Sequence, residues 1–316
     1  MAGIRRAIRL AYNDMNPPRG RGKFIPKPYG SGEDRAVTVV TASHQATMIH
    51  RKGDETMTFE TILLDIDESG VARLTLNRPE THNAMNARML DEIPEAVSRI
   101  ADDDRVRVVV LSGAGATFCA GGDLRWMADS LHLPPEKRLA ESRRIAILLG
   151  ALDGLDRPVI GRINGPAFGG GVGLMAVCDV VIAVADARFA LTEVRLGLLP
   201  ANIGPYVITR LGAANARHIC LNARPFDAEE GRRLGLISQV VAPDALDEAV
   251  AREIALVLKC GPRAVAATKA LIAHIDRHGA AESIDYAMAQ LAEIWDGAES
   301  AEGIAAFLEK RKPSWA

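Results

Sequence analysis

The chain has 316 residues, of which 48% are hydrophobic, 25% charged and 4% aromatic, and its formal net charge is −2. This is enough for one large domain, or a domain plus a small appendage, around a well-buried core. No apolar run reaches the roughly 18–20 residues of a membrane span, since the longest, Val172 to Ala185, is broken by Asp179. The four cysteines, Cys119, Cys178, Cys220 and Cys260, show neither CxxC nor CxxH spacing. They read as free thiols of a reducing, cytoplasmic compartment, which excludes a disulfide framework and a zinc site.

The charge is unevenly spread. Residues 1–30 carry seven basic residues, Arg5, Arg6, Arg9, Arg19, Arg21, Lys23 and Lys27, against the single acid Asp14, a local +6. The remainder, with 31 basic and 39 acidic residues, stands at −8. Residues 1–56 lack sustained periodicity and contain Pro17-Pro18, Pro26, Pro28, Gly30 and Gly32; only VTVVT (37–41) looks strand-like. The segment reads as a disordered basic extension. Its opening IRRAIRLA (4–11) resembles a transit peptide and could also contact nucleic acid. The simpler reading is a non-functional extension from a start upstream of the body, which Met48 or Met57 could begin.

From Phe59 the pattern changes. TILLDI (61–66) and GVARLTL (70–76) form a hairpin turned by Glu68-Ser69-Gly70. Residues 86–101 read as a helix with Met89, Ile93, Val97 and Ile100 on one face, kinked by Pro94. VRVVVL (106–111) is a buried strand, running into the loop SGAGATFCAGGD (112–123). A helix over about 135–153, strand PVIGRI (158–163), the glycine run FGGGVG (168–173) and strand VVIAV (180–184) follow. From Asp227 the tail is helical, with amphipathic stretches near 244–258, 262–276 and 281–297. The expected architecture is an α/β body over 57–250 followed by a helical region over 251–316.

Several function classes lose their support. A dinucleotide-binding GxGxxG fails, because Leu174 or Ala176 stands where the last glycine belongs. GxxxxGK[ST], GxSxG and HExxH are all absent. What remains is a pair of glycine loops, CAGGDL (119–124) and FGGGV (168–172), each after a strand and before a helix. Two such loops can aim two free backbone N–H groups at one point, the geometry of an oxyanion hole, and a carboxylate-bearing segment follows them.

The motifs LNRPETHNAMN (76–86), FCAGGDLRWM (118–127), INGPAFGGGVGL (163–174), FALTEVRLGLLP (189–200) and EGIAAFLEKRKP (302–313) resemble those of the enoyl-CoA hydratase/isomerase (crotonase) family. The resemblance runs from about residue 58 to the end. It implies a crotonase-like spiral of ββα units with a C-terminal helical trimerisation region, the trimers commonly pairing into hexamers. It places the oxyanion amides on Gly122 and Gly170 and a catalytic acid on Glu193. It puts Ala120, Asp123, Leu124 and Gly173 against the substrate, with Phe307 and Lys310 reaching the CoA of a neighbouring subunit. Asp123 doubles as a helix cap; Trp126 reads as a pocket wall, His82 as a ligand contact, and Arg195 as a solvated cation or a partner for a substrate carboxylate.

One position departs from the family pattern. Hydratases of the family usually carry a second acid three residues past the central glycine of the triplet, and here that residue is Gly173. Subgroups with this glycine, a retained acid at the Glu193 position and a segment like LLPANIGP (198–205) resemble hydratases of branched glutaconyl-CoA thioesters, whose substrates carry a second carboxylate. The expected activity is hydration of an α,β-unsaturated acyl-CoA, with CoA part of the substrate and no separate cofactor or metal. A Δ3-Δ2-enoyl-CoA isomerase using Glu193 alone is the first alternative, and an RNA-binding protein on an idle scaffold is the second. The tail lacks interleaved aromatics and the body is acidic, so neither a nucleic-acid nor a membrane partner is expected. With a negative φ at Gly173, replacing it inside the helix should favour the fold, and Gly173→Glu should restore the missing acid.

Overall fold

The computed structural model describes residues 59–316. The basic extension expected over 1–56, with its VTVVT stretch and both alternative start residues, lies outside the described residues.

The body opens with the hairpin the alternation predicts. Strands β1 (Ile62–Ile66) and β2 (Val71–Leu76) pair antiparallel, with Ile62 opposite Leu76. Asp67 closes the turn by accepting from the backbone N–H groups of Ser69 (2.9 Å) and Val71 (3.1 Å). Helix α1 (Ala87–Asp102) is continuous through Pro94, buries Met89, Ile93, Val97 and Ile100, and is capped by Asn86, whose side chain accepts from Met89 N–H. Strand β3 (Val108–Gly113) is buried throughout and sits two residues later than its apolar run suggests.

Helices α2 (Leu124–Leu131) and α3 (Pro135–Asp153) lead to β4 (Val159–Ile163) and the short β5 (Ala167–Phe168). Then come α4 (Gly170–Ala176), β6 (Val180–Val184), β7 (Arg188–Ala190), α5 (Gly204–Cys220), β8 (Phe226–Asp227) and α6 (Ala228–Arg233). The sequence gives α5 little signal: Pro205 lies in its first turn and Gly212 breaks it, with φ +72°. Strand β9 (Gln239–Val241) corrects the expectation of an all-helical tail from Asp227. Three residues are too few for a period-2 signal. Helices α7 (Leu246–Leu258), α8 (Pro262–His278), α9 (Ile284–Trp295) and α10 (Ala298–Leu308) complete the chain.

The strands form two sheets, one in the order β1-β2-β3-β4-β6-β9 and one in the order β5-β7-β8. In the large sheet every pair except β1·β2 is parallel. Parallel neighbours must be joined by crossovers, and here each crossover adds a short rung to the second layer. After β2 the chain forms a bridge between Met85 and Gly122; after β3, one between Cys119 and Ala167; after β4 and β6 come β5 and β7, paired in parallel. Successive turns of this spiral therefore stack their glycine loops side by side. This is the crotonase-like arrangement of repeated ββα units, with a helical C-terminal part.

Candidate active site

The loop after β3 is held rigidly from below. Asn83, fully buried at φ +55°, donates through Nδ2 to the carbonyls of Ala114 (2.9 Å), Thr117 (2.7 Å) and Phe118 (3.2 Å). A positive φ is uncommon for a side-chain-bearing residue, though asparagine tolerates it, and such strain collects at functional sites. The sequence reading did not single out Asn83; its signal was an asparagine just ahead of a glycine-loop partner. Above it, Met85 N–H donates to Gly121 O (2.8 Å), Asp123 N–H to Met85 O (2.9 Å), and Ala120 N–H to His82 O (2.9 Å). Phe168 N–H donates to Cys119 O (3.0 Å), which locks the second glycine loop onto the first.

These bonds leave the N–H groups of Gly122 and Gly170 without an acceptor among the described residues. The two peptides are in contact: a Cβ on Gly170 would lie 3.8 Å from Gly122 N, and one on Gly121 would lie 3.4 Å from Gly170 N and 2.7 Å from Phe168 O. Gly121, at φ +92°, could not carry that Cβ. Two unspent donors side by side, one of them at the first residue of a helix, suit a developing oxyanion.

Glu193 stands beside them. It opens a 3₁₀ turn, Glu193–Leu196, closed by Gly197 in the left-handed region. Its carboxylate lies against Gly169, the residue just before the Gly170 donor. A Cβ there would stand 3.0 Å from Glu193 Oε1, and Gly169 has φ +48°. Glu193 Oε2 is buried and has no hydrogen-bond partner. Burial pushes its carboxyl above the ordinary carboxylate range, so it holds a proton more readily than a surface glutamate does. Half-buried Cys220, at the end of α5, has its thiol pushed up by burial and then by the Glu193 charge.

The position of the missing acid is filled. A Cβ on Gly173 would meet Ile203 Cγ2 at 2.5 Å, Ile203 Cβ at 3.0 Å and Leu149 Cδ1 at 3.4 Å. The expectation that replacing Gly173 favours the fold is therefore overturned, because the gain in backbone entropy is outweighed by collision with a buried isoleucine. Asp179 is also out of play, since its Oδ2 accepts from Val159 N–H and from Lys269 Nζ, both at 2.7 Å.

The other expected residues differ in exposure and in bonding. Asp123 caps α2 by accepting from Arg125 N–H (2.9 Å) and pairs with Arg78 (3.0 Å). Burial pushes its carboxyl up, but the Arg78 guanidinium and the Arg125 amide outweigh it and hold the group below the usual range. Leu124 is exposed and Ala120 half-buried. Trp126 donates from its indole to Glu141 (3.3 Å), and its ring edge and the Met127 sulfur lie over Gly122. His82 contacts Thr117 Oγ1 at 3.0 Å, and Arg195 is exposed. Phe307 is 84% exposed, and Lys310 is exposed with φ +54°. Among the described residues no group of three histidine, cysteine or acidic side chains is gathered to hold a metal ion.

Comparison with known proteins points to one family. The family profile described as Enoyl-CoA hydratase/isomerase matches residues 67–316. A probable enoyl-CoA hydratase of Rhodobacter capsulatus is 38% identical over 261 residues, spanning 81% of this chain and 98% of that one. A crotonyl-CoA hydratase of Syntrophomonas wolfei is 34% identical over 265 residues, covering 82% of this chain and 99% of the relative. Among solved structures, Pseudomonas aeruginosa AtuE superposes with a TM-score of 0.78 at 42% identity, covering 81% of this chain and 100% of AtuE.

Proposed function

The chain belongs to the enoyl-CoA hydratase/isomerase family, and on that footing we propose that it adds water across the α,β double bond of an acyl-CoA thioester. The observation that carries this reading is Glu193, whose buried Oε2 has no hydrogen-bond partner and whose Oε1 is set against the Gly169–Gly170 step, beside two unspent N–H donors.

The chemistry follows from those groups. The thioester oxygen accepts from Gly122 and Gly170 N–H. Glu193, as carboxylate, takes a proton from water as the water oxygen bonds to Cβ. The electron pair of the double bond moves into an enolate held by the two amides. Protonated Glu193 then returns its proton to Cα, so one water is consumed and Glu193 is regenerated. A raised carboxyl pKa suits a group that must hold a proton between the two steps. One donor of an oxyanion pair contributes about 3–4 kcal/mol to such a barrier.

With Ile203 packed where a second acid would stand, a substrate that brings its own carboxylate has an advantage. We place the substrate among branched glutaconyl-CoA thioesters, with Arg195, exposed two residues from Glu193, available to that carboxylate. The single carboxylate also favours a second reading, a Δ3-Δ2-enoyl-CoA isomerase, because moving a double bond needs one shuttled proton and no water. Free cysteines fit a cytoplasmic protein. Helices α8, α9 and α10 leave Ile272, Ile284, Met288, Trp295, Phe307 and Leu308 exposed, as a trimer or hexamer would use them.

The deciding experiment follows the enoyl-thioester absorbance with crotonyl-CoA, a 3-methylglutaconyl-CoA and a 3-enoyl-CoA. Loss of the band with the glutaconyl ester supports the substrate class. A rising band with the 3-enoyl ester and no loss with the others moves the assignment to isomerase. No change with any of them overturns both.

A further inference from the structure

We infer that Arg210 is a positioning residue for the oxyanion donors: it grips the far end of helix α4, whose first residue is Gly170. The inference rests on the hydratase/isomerase reading above.

Arg210 projects from α5, and its Nη1 donates to Ala176 O, the last carbonyl of α4, at 3.4 Å and more closely to Cys178 O, two residues past the helix end. The last carbonyls of any helix lack intrahelical partners and carry partial negative charge. Short helices usually end on a glycine or on solvent; here a guanidinium does the work. Arg210 makes no ion pair among the described residues, and its Nε is buried without a partner. The adjacent carboxylate, Asp179, is held by Lys269 instead. Burial lowers the Arg210 pKa, against the weaker pull of the Cys178 and Asp179 side chains. A cation desolvated against carbonyls alone is an expensive way to end a helix.

The position gives it a purpose. α4 has seven residues, so its two ends are only about 10 Å apart. Over that span the negative end offsets part of the positive field at Gly170, and a cation on the negative end removes the offset. The grip on two carbonyls also fixes α4 along its axis, which keeps Gly170 N–H level with Gly122 N–H. Oxyanion donors act only within a narrow range of distances, so both effects bear on the transition state more than on the bound ester. Arg210 touches no reacting atom; it acts through α4.

The test compares Arg210→Lys and Arg210→Gln with the parent by steady-state kinetics. It also compares the red shift of bound cinnamoyl-CoA, whose absorption band moves to longer wavelength as its carbonyl is polarised. We expect kcat to fall about 3-fold in the lysine variant and about 30-fold in the glutamine variant, with KM within about twofold. The red shift should shrink in the same order. A folded glutamine variant with parental kcat and parental red shift overturns the inference. If that variant does not fold, parental values in the lysine variant overturn it. Changes in kcat and KM together, with the red shift intact, also overturn it and leave Arg210 a purely structural clamp. A parent protein that neither turns over an enoyl-CoA nor shifts the band removes the reading beneath the inference.

Discussion

Glu92 and Glu193 are both drawn out of water, and their surroundings are opposite. Glu92, on α1, is 2% exposed and fully engaged. Its Oε1 accepts from Glu60 N–H (2.9 Å) and Arg88 Nε (2.8 Å), and its Oε2 from Thr61 N–H (2.8 Å) and the Thr61 hydroxyl (2.5 Å). Burial pushes its carboxyl up, but those four donors outweigh it and hold it below the usual range. Glu193 keeps Oε2 buried with no donor, and its carboxyl is displaced upward. A satisfied buried carboxylate ties elements together; an unsatisfied one is held ready for a proton or a ligand.

The largest effect should come from Glu193→Gln, which keeps shape and removes the proton carrier. We expect kcat to fall about 10²–10⁴-fold with CoA-ester dissociation nearly unchanged. Retained turnover on a substrate the parent accepts would erase the distinction between the two glutamates.

Next in size is Glu92→Ala, which leaves the Glu60 and Thr61 amides, just ahead of β1, and Arg88 without their acceptor. Denaturant unfolding should show a loss of about 3–5 kcal/mol. Because the folded carboxyl sits below its unfolded value of about 4.3, the contribution of Glu92 is complete above that pH. It is lost as pH falls through the folded value, so the variant's deficit should shrink in acid. A pH-independent deficit would mean that packing, not charge, fixes this corner.

Smaller again is Gly173→Ala, which drives a methyl into Ile203 and should cost about 1–3 kcal/mol by the same measurement. Combining it with Ile203→Ala should cost less than the sum of the two single changes, by about 1 kcal/mol. Additive costs would show that Ile203 does not occupy the place of the missing acid.

The smallest effect sharpens the comparison from the other side. Glu193→Gln removes a desolvated charge, so at neutral pH the melting temperature should rise by about 2 °C. The folded carboxyl is raised, so the parent's penalty builds as pH climbs from the ordinary carboxylate range upward, and the gain should vanish in acid. A gain that persists in acid would place its origin outside the ionisation.

Much of the fold was legible because its long elements announce themselves locally. The β1–β2 alternation, the apolar face of α1 and the buried run at β3 depend on backbone period alone. The three-residue β9 and the broken α5 were not legible, because one is too short to show a period and the other carries Pro205 and Gly212. Within the site, the glycine pairs stood out by residue type, and Glu193 by the family resemblance of the segment FALTEVRLGLLP. Asn83, Glu92 and Arg210 did not, since their roles lie in partners more than thirty residues away.

Sequence alone determined which residues could serve as donors and acid: glycines that permit backbone exposure, and a carboxylate on a turn after the second loop. Only the tertiary structure decided that the peptides of Gly122 and Gly170, 48 positions apart, lie in contact. Parallel strands joined by crossovers set that neighbourhood, and no local pattern encodes which crossover lands beside which. The same holds for Gly173. Its lack of a side chain is written in the sequence, but its meaning came from Ile203, which arrives from the start of another helix and fills the space. Close packing makes that a choice between side chains, because a buried volume holds only one of them.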